Sequence, residues 1–503
     1  MNALPLLLLV LTLGLGGCAP LWRSAPATPP PPDPAAAVFD GGGYPTVVCD
    51  AAYAGRVAAC AFSGDGARLA IRASLISGDQ VYVGGTLLID AAGRVESAGC
   101  APPPASDAVV LDCPGALVSA GWMNLHEHID YSYQQPPAPP ALKWRHRNEW
   151  RALTAAERGF EGDAPKDKAV AAEVSERAML RHALSGATAV SGAKDYQAFL
   201  RNLKLSGDGV WLGTPAGPAV LDNTFPVGDA ASKIALPAPC TALQVAAVRF
   251  DADSAFIPHV GEGTDDSARY EVDCVLDAIR GKDSASAFIH GVAISPAQIA
   301  RLKDQRVAVV LSPRSNFQLY GATAPVAALK AAGVVLAIGT DWSPSGSLTV
   351  LDEARCLDRY NRDALGGLLS ASDLHRMMTS DGARAVGLGG QVGALAPGEW
   401  ADLVILDTEG RRSLGEVLAR TALPQTLAVM VGGRVASAPL DWDGRLAQLP
   451  RCSADPRALC GLPRLVCGAS AQRPLALLLQ QPAYTLDDSR LCRPQPTDDC
   501  VVP

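Results

Sequence analysis

Between residues 116 and 389, short apolar runs alternate with segments that have helical periodicity. Seven runs have the length of strands, namely 116–125, 186–193, 209–217, 254–260, 286–294, 306–313 and 333–341. An eighth falls between Gly217 and Ser254, where the pattern is blurred. Helical spacing occurs at 171–185, 295–305 and 323–333. This alternation predicts βα units and, at this length, an α/β fold with a closed TIM-like (β/α)8 barrel.

Strand-like runs also flank this central segment on both sides. Short strands separated by Gly, Ala and Pro turns precede it, and the runs ADLVILD and TLAVMVGGRVASA follow it. We expect the chain to return to the first β segment and complete a composite β-sandwich. The predicted division is a signal peptide at 1–18, a linker at 19–43, the first sandwich part at 44–115, the barrel at 116–389, the second sandwich part at 390–440 and a Cys- and Pro-rich tail at 441–503.

Composition narrows the class of protein and its partners. The chain has 503 residues, 48% of them hydrophobic, which is enough to bury a large core. The net charge of −8 is spread along the chain, so nothing indicates a nucleic-acid surface. Small-molecule partners are therefore expected, and the oligomeric state stays open.

The first twenty residues, MNALPLLLLVLTLGLGGCAP, are apolar and too short for a stable membrane span. They resemble a bacterial lipoprotein signal, in which Cys18 is lipidated and becomes the new N-terminus. An ordinary secretory signal is the alternative, since no basic residue precedes the apolar core. The Pro-rich segment that follows is expected to be an extended tether. We therefore predict an exported protein that is lipid-anchored to a bacterial cell membrane, facing the periplasm or on the cell surface.

Cysteine usage agrees with export. Without Cys18, the thirteen cysteines leave twelve, an even number that an oxidising compartment can pair into disulfides. A second metal site in the C-terminal cluster is the alternative, but that cluster contains no Cys-x-x-Cys pair. Disulfides that staple the tail are favoured, with the pairing left open.

Histidines and an aspartate mark the ends of the predicted barrel strands. His126 and His128 follow one strand as a His-x-His pair, His259 and His290 end two others, and Asp341 ends the run VVLAIGTD. Catalytic residues of a (β/α)8 barrel lie at the C-terminal ends of the strands, so these side chains are expected to converge on one pocket. Imidazole and carboxylate donors suit Zn²⁺ or a similar divalent ion.

These motifs, together with the run APGEWADLVILD, resemble the amidohydrolase superfamily of metal-dependent hydrolases. The resemblance implies that His126, His128 and Asp341 bind the metal, with His259 joining them in the mononuclear, deaminase-like branch. It places His290 beside the reacting centre.

The number of metal ions follows from a missing bridging residue. In the dinuclear members of the superfamily that this chain resembles, a carboxylated lysine or a glutamate at the end of the fourth strand bridges the two ions. Between Gly213 and His259 the only lysine is Lys233, in a polar, turn-like stretch. One divalent ion is therefore expected, Zn²⁺ with Fe²⁺ as the alternative; Lys194 would overturn this if the strand count were off by two.

Glu262 lies three residues after His259, a spacing that resembles adenosine- and cytosine-deaminase-like members, and its expected role is proton shuttle. A solvated loop carboxylate is the alternative. Asp341 would orient a metal-bound hydroxide toward an sp² carbon, and His290 would stabilise the charge that develops there. The predicted protein is thus an enzyme, a hydrolase acting on carbon–nitrogen bonds other than peptide bonds.

The sequence gives only weak signals for the residues that contact the substrate. The segment LSPRSNFQLYG resembles the Pro-x-Ser-Asn segment of deaminase-like and triazine-hydrolase-like relatives, which makes Arg314 and Asn316 candidates, with Trp342 shaping the pocket. A plain loop with a capping Ser or Asn fits the same letters. Two other functions stay open: dinuclear hydrolysis of a cyclic amide or lactone, and a non-catalytic ligand-binding lipoprotein on the cell surface.

Overall fold

The computed structural model describes residues 38–134, 143–160, 164–205, 219–221, 225, 254–445, 452–467 and 488–500. The predicted signal peptide with Cys18, most of the linker, the predicted strand 209–217 and Lys233 lie outside these residues. None of the helices in the described residues has the length and apolar character needed to cross a membrane.

The strands, in chain order, are β1 (Thr46–Val48), β2 (Ala61–Ser63), β3 (Arg68–Ser77), β4 (Gln80–Ile89), β5 (Val95–Gly99), β6 (Ala108–Ala120), β7 (Trp122–Asn124), β8 (Ala187–Val190), β9 (Arg201–Asn202), β10 (Ala219–Leu221), β11 (Ser254–Phe256), β12 (His259–Val260), β13 (Ala287–His290), β14 (Ala308–Leu311), β15 (Leu336–Ile338), β16 (Leu403–Asp407), β17 (Thr426–Val431), β18 (Arg434–Pro439), β19 (Cys452–Leu459) and β20 (Leu462–Cys467). The helices are α1 (Arg147–Arg151), α2 (Ala155–Arg158), α3 (Lys168–Leu184), α4 (Asp266–Ala278), α5 (Pro296–Asp304), α6 (Pro313–Tyr320), α7 (Val326–Ala331), α8 (Val350–Ala364), α9 (Ala371–Met378), α10 (Ser380–Ala385), α11 (Leu414–Arg420) and α12 (Asp488–Leu491). The content is therefore mixed α/β.

One large sheet joins the two flanks of the chain. Among the described residues its strand order is β1-β4-β3-β6-β16-β17-β18-β20-β19, with β2 beside β6 and β5 beside β4. The flanks meet where β6 and β16 run antiparallel, with Ala120 opposite Leu403 and Ala116 opposite Asp407. The predicted return of the chain to the first β segment is thus confirmed by strand pairing.

The boundaries of this sheet differ from those predicted. Strand β6 continues past residue 115, and β20 pairs with β18 although it lies beyond residue 440, where no regular structure was expected. Leu465 and Val466 are buried in this pairing. Arg464 is also buried, and its guanidinium donates to Ser437 Oγ and to the carbonyl of Leu427. A buried arginine within a Pro- and Cys-rich stretch hides the strand pattern in the sequence.

The shorter strands of the central segment all pair in parallel. They form the groups β7-β8-β9, β10-β11 and β12-β13-β14-β15. Backbone hydrogen bonds connect the groups, among them those from Val220 N to Leu203 O at 2.8 Å and from Leu125 N to Ile338 O at 3.3 Å. The second of these bonds links the first strand, β7, to the last, β15. Helices α3, α4, α5, α7 and α8 alternate with these strands in the chain.

Three of these elements differ in detail from the sequence prediction. The predicted strand 254–260 is divided at Pro258, which has no N–H for the ladder, into β11 and β12. Strand β9 has two residues, too few for a periodicity to reveal. The segment after β14, left open as a plain loop, is helix α6; Pro313 occupies its first turn and Gly321, at φ 67°, ends it.

Candidate metal centre and active site

The ends of four parallel strands bring the predicted metal ligands together. His126 and His128 follow β7, His259 begins β12, His290 ends β13 and Asp341 follows β15. His290 and Asp341 have φ values of 72° and 60°, a left-handed conformation that non-glycine residues adopt infrequently. Strained backbone of this kind clusters at functional sites, because the surroundings must hold it in place.

Three imidazole nitrogens form a triangle at this point. The Nε2 atoms of His126 and His128 are 3.2 Å apart, those of His126 and His259 are 3.0 Å apart, and those of His128 and His259 are 3.1 Å apart. Asp341 Oδ1 lies 3.2 Å from the first of these nitrogens and 3.5 Å from the second. Ligands about 2.0–2.1 Å from one Zn²⁺ ion in tetrahedral geometry are about 3.3 Å from each other, so the spacing fits a shared ion.

The protonation of His126 is fixed by its neighbour. Ser312 Oγ donates its one proton to the carbonyl of Gly339 at 2.9 Å, so it accepts from His126 Nδ1, 2.8 Å away. The proton of a neutral imidazole is then on Nδ1, and the lone pair of Nε2 points into the triangle. This is the tautomer that a metal ligand requires.

The electrostatics of the site favour a cation. Burial and the adjacent imidazoles lower the pKa of His126 and His259 well below the ordinary value, so both rings are neutral. Burial raises the pKa of Asp341, which faces these rings. Converging lone pairs beside a buried carboxylate repel one another unless a positive charge lies between them. The donor set of imidazoles and one carboxylate fits Zn²⁺ or a similar ion.

Glu262 lies beside this triangle with one oxygen fixed and the other unpartnered. Tyr320 donates its hydroxyl proton to Glu262 Oε1 at 2.6 Å, and Trp150 Nε1 donates to the Tyr320 oxygen at 3.0 Å. Burial, and then the carboxylate, raise the pKa of Tyr320 well above its ordinary value. Glu262 Oε2 is buried and accepts no hydrogen bond from any described residue. The carboxyl group is therefore oriented, with one oxygen available to a ligand.

His290 is held in a similar way. Its Nδ1 is 2.8 Å from Asn316 Oδ1, while the Asn316 amide nitrogen donates to Thr323 at 3.1 Å. The amide oxygen therefore accepts the proton of Nδ1. His290 Nε2 is buried, forms no hydrogen bond within the described part of the chain and lies 3.7 Å from Glu262 Oε1. Its polar atom lines the same cavity as Glu262.

A chain of hydrogen bonds orients the carboxylate of Asp341. Trp342 Nε1 donates to Ser345 Oγ at 2.6 Å, Ser345 and Ser315 are 2.7 Å apart, and Ser315 donates to Asp341 Oδ2 at 2.6 Å. Because the Ser315 proton is given to Asp341, Ser345 is the donor to Ser315. The wall of the cavity formed by Trp342 is thus connected to a predicted metal ligand.

A second buried network lies beneath the His-x-His pair. Glu127 points away from the metal site, and its Oε2 accepts from Thr340 Oγ1 at 2.6 Å and lies 2.8 Å from His182 Nε2. Burial alone would raise the pKa of Glu127, but His182 and Arg181 lower it to about 2. Asn124 donates to Thr340 at 2.7 Å and accepts from the His126 amide at 3.3 Å. The network ties the ends of β7 and β15 together.

The cavity above the site has a volume of about 510 Å³. Aromatic and basic side chains line it together with the candidate catalytic residues: His128, Tyr131, Trp150, Arg151, Arg158, Lys194, Phe225, His259, Glu262, His290, Asp341 and Trp342. Lys194, the residue that could bridge two ions, is ion-paired with Asp130 and belongs to neither group of metal-ligating side chains found among the described residues.

The three predicted substrate contacts have different positions. Trp342 lines the cavity as expected. Asn316 reaches His290 rather than the cavity. Arg314 is wrong as a substrate contact, because its guanidinium points away from the cavity, to Asp499 and to the carbonyl of Pro496. The sequence suggests that the positive charge of Arg314 is available to a ligand, but Asp499, far along the chain, neutralises it.

Five residues that support the predicted side chains by hydrogen bonds were not predicted: Ser312, Tyr320, Trp150, Glu127 and His182. Ser312 and Tyr320 belong to the segment SPRSNFQLY, so the periodicity of a helix that begins at Pro313 is the signal that could have found them. Glu127 and His182 are separated by 55 residues, and no local pattern connects them.

Residues 153–436, more than half of the chain, match the model of the Amidohydrolase family. The chain therefore belongs to the amidohydrolase family. The 5-methylthioadenosine/S-adenosylhomocysteine deaminase of Teredinibacter turnerae is 36% identical over 123 residues, which are 24% of this chain and 28% of that protein. The protein of the same name from Moorella thermoacetica is 34% identical over 152 residues, 29% of this chain and 36% of that protein. The matches thus span about a third of these curated relatives.

Solved structures agree on the fold. The guanine deaminase of E. coli has a TM-score of 0.51 and 17% identity, covering 73% of this chain and 98% of that one. A zinc complex of the atrazine chlorohydrolase of Arthrobacter aurescens TC1 has a TM-score of 0.50 and 19% identity, covering 73% of this chain and 95% of that one. The chain shares the amidohydrolase-type fold with these proteins.

Proposed function

We propose that this protein is a metal-dependent hydrolase that cleaves a non-peptide C–N bond at an sp² carbon, using one divalent ion, Zn²⁺ in the first instance. The observation that carries the proposal is the triangle of Nε2 atoms, 3.0 to 3.2 Å apart, beside Asp341. The names of the curated relatives, which are deaminases, support the reaction type. A single ion is favoured because the Lys194 ammonium is paired with Asp130.

The proposal includes a closed (β/α)8 barrel with a flanking β-sandwich. The hydrogen bond between Leu125 and Ile338, which links the first and last parallel strands, supports closure of the barrel. The pairing of β6 with β16 supports a composite second domain. In such a barrel the three strands that hold the ligands, and β13 with His290, face one pocket.

A bound divalent cation supplies a nucleophilic water at neutral pH, because it lowers the pKa of that water. Asp341, oriented by Ser315, accepts a hydrogen bond from the attacking water and directs it toward the substrate's sp² carbon. Glu262, held at Oε1 by Tyr320, takes a proton from this water at Oε2 and gives it to the leaving nitrogen. His290, whose Nδ1 proton is given to Asn316, presents the lone pair of Nε2 to the reacting centre, where it accepts a hydrogen bond from the oxygen at the attacked carbon. Burial of these groups strengthens each electrostatic contact.

The cavity favours a planar nitrogen heterocycle that carries an anionic group. Tyr131, Trp150 and Trp342 contribute flat aromatic faces that can stack on a ring. Arg151 and Arg158 line the same cavity and supply positive charge for a carboxylate or phosphate.

A substrate screen tests this function. Zinc-loaded protein is incubated with 5-methylthioadenosine, S-adenosylhomocysteine, guanine, triazines, cyclic amides and lactones, and ammonia or product release is measured. We expect ammonia release from a heterocycle, its loss in Glu262→Gln with zinc retained, and no loss in Glu416→Gln, an exposed carboxylate far from the site. Turnover of lactones alone, turnover of cyclic amides by a protein that holds two ions per chain, or no turnover of any compound would contradict the proposal.

Export and lipid anchoring at Cys18 are part of the same proposal. Disulfides within the described part of the chain support an oxidising compartment, among them Cys49–Cys100, Cys60–Cys113, Cys356–Cys500 and Cys460–Cys492. Mass spectrometry of the N-terminal peptide of membrane-extracted protein tests the anchor. A diacylglyceryl group on Cys18, lost in Cys18→Ala, is expected; a peptide cleaved elsewhere and unmodified would refute it.

A further inference from the structure

Residues 495–500, the C-terminal strap, pack against helix α6 on the outside of the active site. We infer that this strap is a positioning element for catalysis, acting through Asp499 and Arg314 on the side chains that α6 presents to the metal centre. The inference rests on the proposed function, and it concerns residues that lie beyond the segment matched to the family model.

Helix α6 and the serine that precedes it orient four active-site groups. The contacts are Ser312 with His126 at 2.8 Å, Ser315 with Asp341 at 2.6 Å, Asn316 with His290 at 2.8 Å and Tyr320 with Glu262 at 2.6 Å. Two metal ligands and two candidate catalytic residues therefore depend on the position of one helix of eight residues. A small rotation or shift of α6 changes all four contacts together.

The strap holds the opposite face of this helix. Arg314 and Gln318 are four residues apart and so share a face, as Asn316 and Tyr320 share another. The Arg314 guanidinium is ion-paired with Asp499 and donates to the carbonyl of Pro496 at 2.9 Å. Gln318 Nε2 donates to Asp499 Oδ2 at 2.8 Å. One carboxylate thus contacts two successive turns of α6.

The strap is itself fixed to helix α8. Cys500 forms a disulfide with Cys356. The side-chain oxygen of Gln495 accepts from the backbone N–H of Leu348 at 3.1 Å, and the backbone N–H of Gln495 donates to Asp352 Oδ1 at 2.9 Å. The strap therefore connects α6 rigidly to the neighbouring helix of the barrel.

Loss of the Asp499 charge has a consequence for the metal centre. Arg314 is only 1% exposed, so its positive charge depends on a partner inside the protein. Without that partner the guanidinium is drawn toward solvent, and α6 moves with it. Ser315 and Ser312 then hold Asp341 and His126 less well, and the ion is released faster.

The test compares Asp499→Asn with Asp498→Asn, its exposed neighbour, whose carboxylate forms no hydrogen bond or ion pair with another described residue. Each zinc-loaded protein is mixed with a chromogenic chelator at 25 °C, and the rate of zinc release is followed. We expect Asp499→Asn to release zinc about tenfold faster than wild type, the lower end of the effect of residues that support metal ligands. Its kcat should fall with a KM within twofold of wild type, Asp498→Asn should match wild type, and Asp499→Glu should restore most of the loss.

Two further results keep the inference separable from folding and from the proposed function. The double variant Cys356→Ser/Cys500→Ser keeps Asp499 and frees the strap, so it should also release zinc faster, even if Asp499→Asn does not fold. Equal zinc release and kcat in all variants, with only a lower unfolding temperature, would overturn the inference. A wild-type protein that retains zinc but turns over no compound would refute the proposed function, and the zinc-release comparison would still decide the role of the strap.

Discussion

Replacement of Tyr320 by phenylalanine removes two hydrogen bonds, the one to Glu262 of the proposed proton shuttle and the one from Trp150, and keeps the ring. The Tyr320 hydroxyl donates to Glu262 Oε1 at 2.6 Å and accepts a hydrogen bond from Trp150 Nε1 at 3.0 Å. The ring stays in a buried aromatic cluster with Trp150, Phe160 and Trp342, so Tyr320→Phe preserves the packing.

The size of the effect follows from the charge on the acceptor. A hydrogen bond to a charged group contributes about 1.5–3 kcal/mol. If that energy is expressed fully in the transition state, Tyr320→Phe lowers kcat by about 10- to 150-fold. Glu262→Gln removes the shuttle itself and lowers kcat by about 100- to 10,000-fold.

The assay is ammonia release by the two single variants and the double variant, with zinc content measured for each. Because Tyr320 acts only through Glu262, the double variant should be no slower than Glu262→Gln alone. The control is Tyr82→Phe, which removes a hydrogen bond of the same 2.6 Å length to Gln80 in the large sheet. Effects of Glu262→Gln and Tyr320→Phe that multiply would refute the coupling.

Three other predictions concern acid stability, specificity and the metal. The buried His375 lies between Tyr44 and Ser119, and burial lowers its pKa to about 3. The unfolded chain binds a proton at this position below about pH 6.5 and the folded chain does not, so this histidine reduces the free energy of unfolding by about 1 kcal/mol when the pH falls from 6 to 5. Other buried histidines titrate in the same direction, so urea titration should find a loss about 1 kcal/mol smaller in His375→Gln than in wild type, and an equal loss in both proteins would contradict the assignment. Arg158→Gln should raise KM for heterocycles with a carboxylate at least fivefold more than for neutral analogues, by steady-state kinetics, and equal changes would remove Arg158 from substrate recognition. Dialysis against a chelator should abolish turnover and Zn²⁺ should restore it, whereas turnover that survives complete metal removal would exclude a metal-dependent reaction.

The positions of the metal ligands could be predicted because each ligand ends an apolar run. In a parallel strand the run itself is buried, so a histidine or aspartate at its end is noticeable in the sequence, as at His290 and Asp341. The supporting residues could not be predicted in this way. Ser315 and Tyr320 belong to a helix whose letters also fit a loop, and their partners come from other strands.

Arg314 shows a different limit. An arginine after a strand of a barrel suggests a substrate contact, and only the three-dimensional structure shows that Asp499, 185 residues later, neutralises it. Likewise β20 pairs with β18 because Leu465 and Val466 are buried, although the surrounding composition indicates no regular structure. Long-range contacts of this kind leave no periodic pattern in the sequence.

The central claim is that three imidazoles and Asp341 hold a single ion. Metal analysis of purified protein by mass spectrometry, compared with Asp341→Asn and His259→Ala, tests it most directly. The account predicts one zinc ion per wild-type chain and much less in both variants. Two ions per chain, or one ion that both variants retain in full, would contradict it.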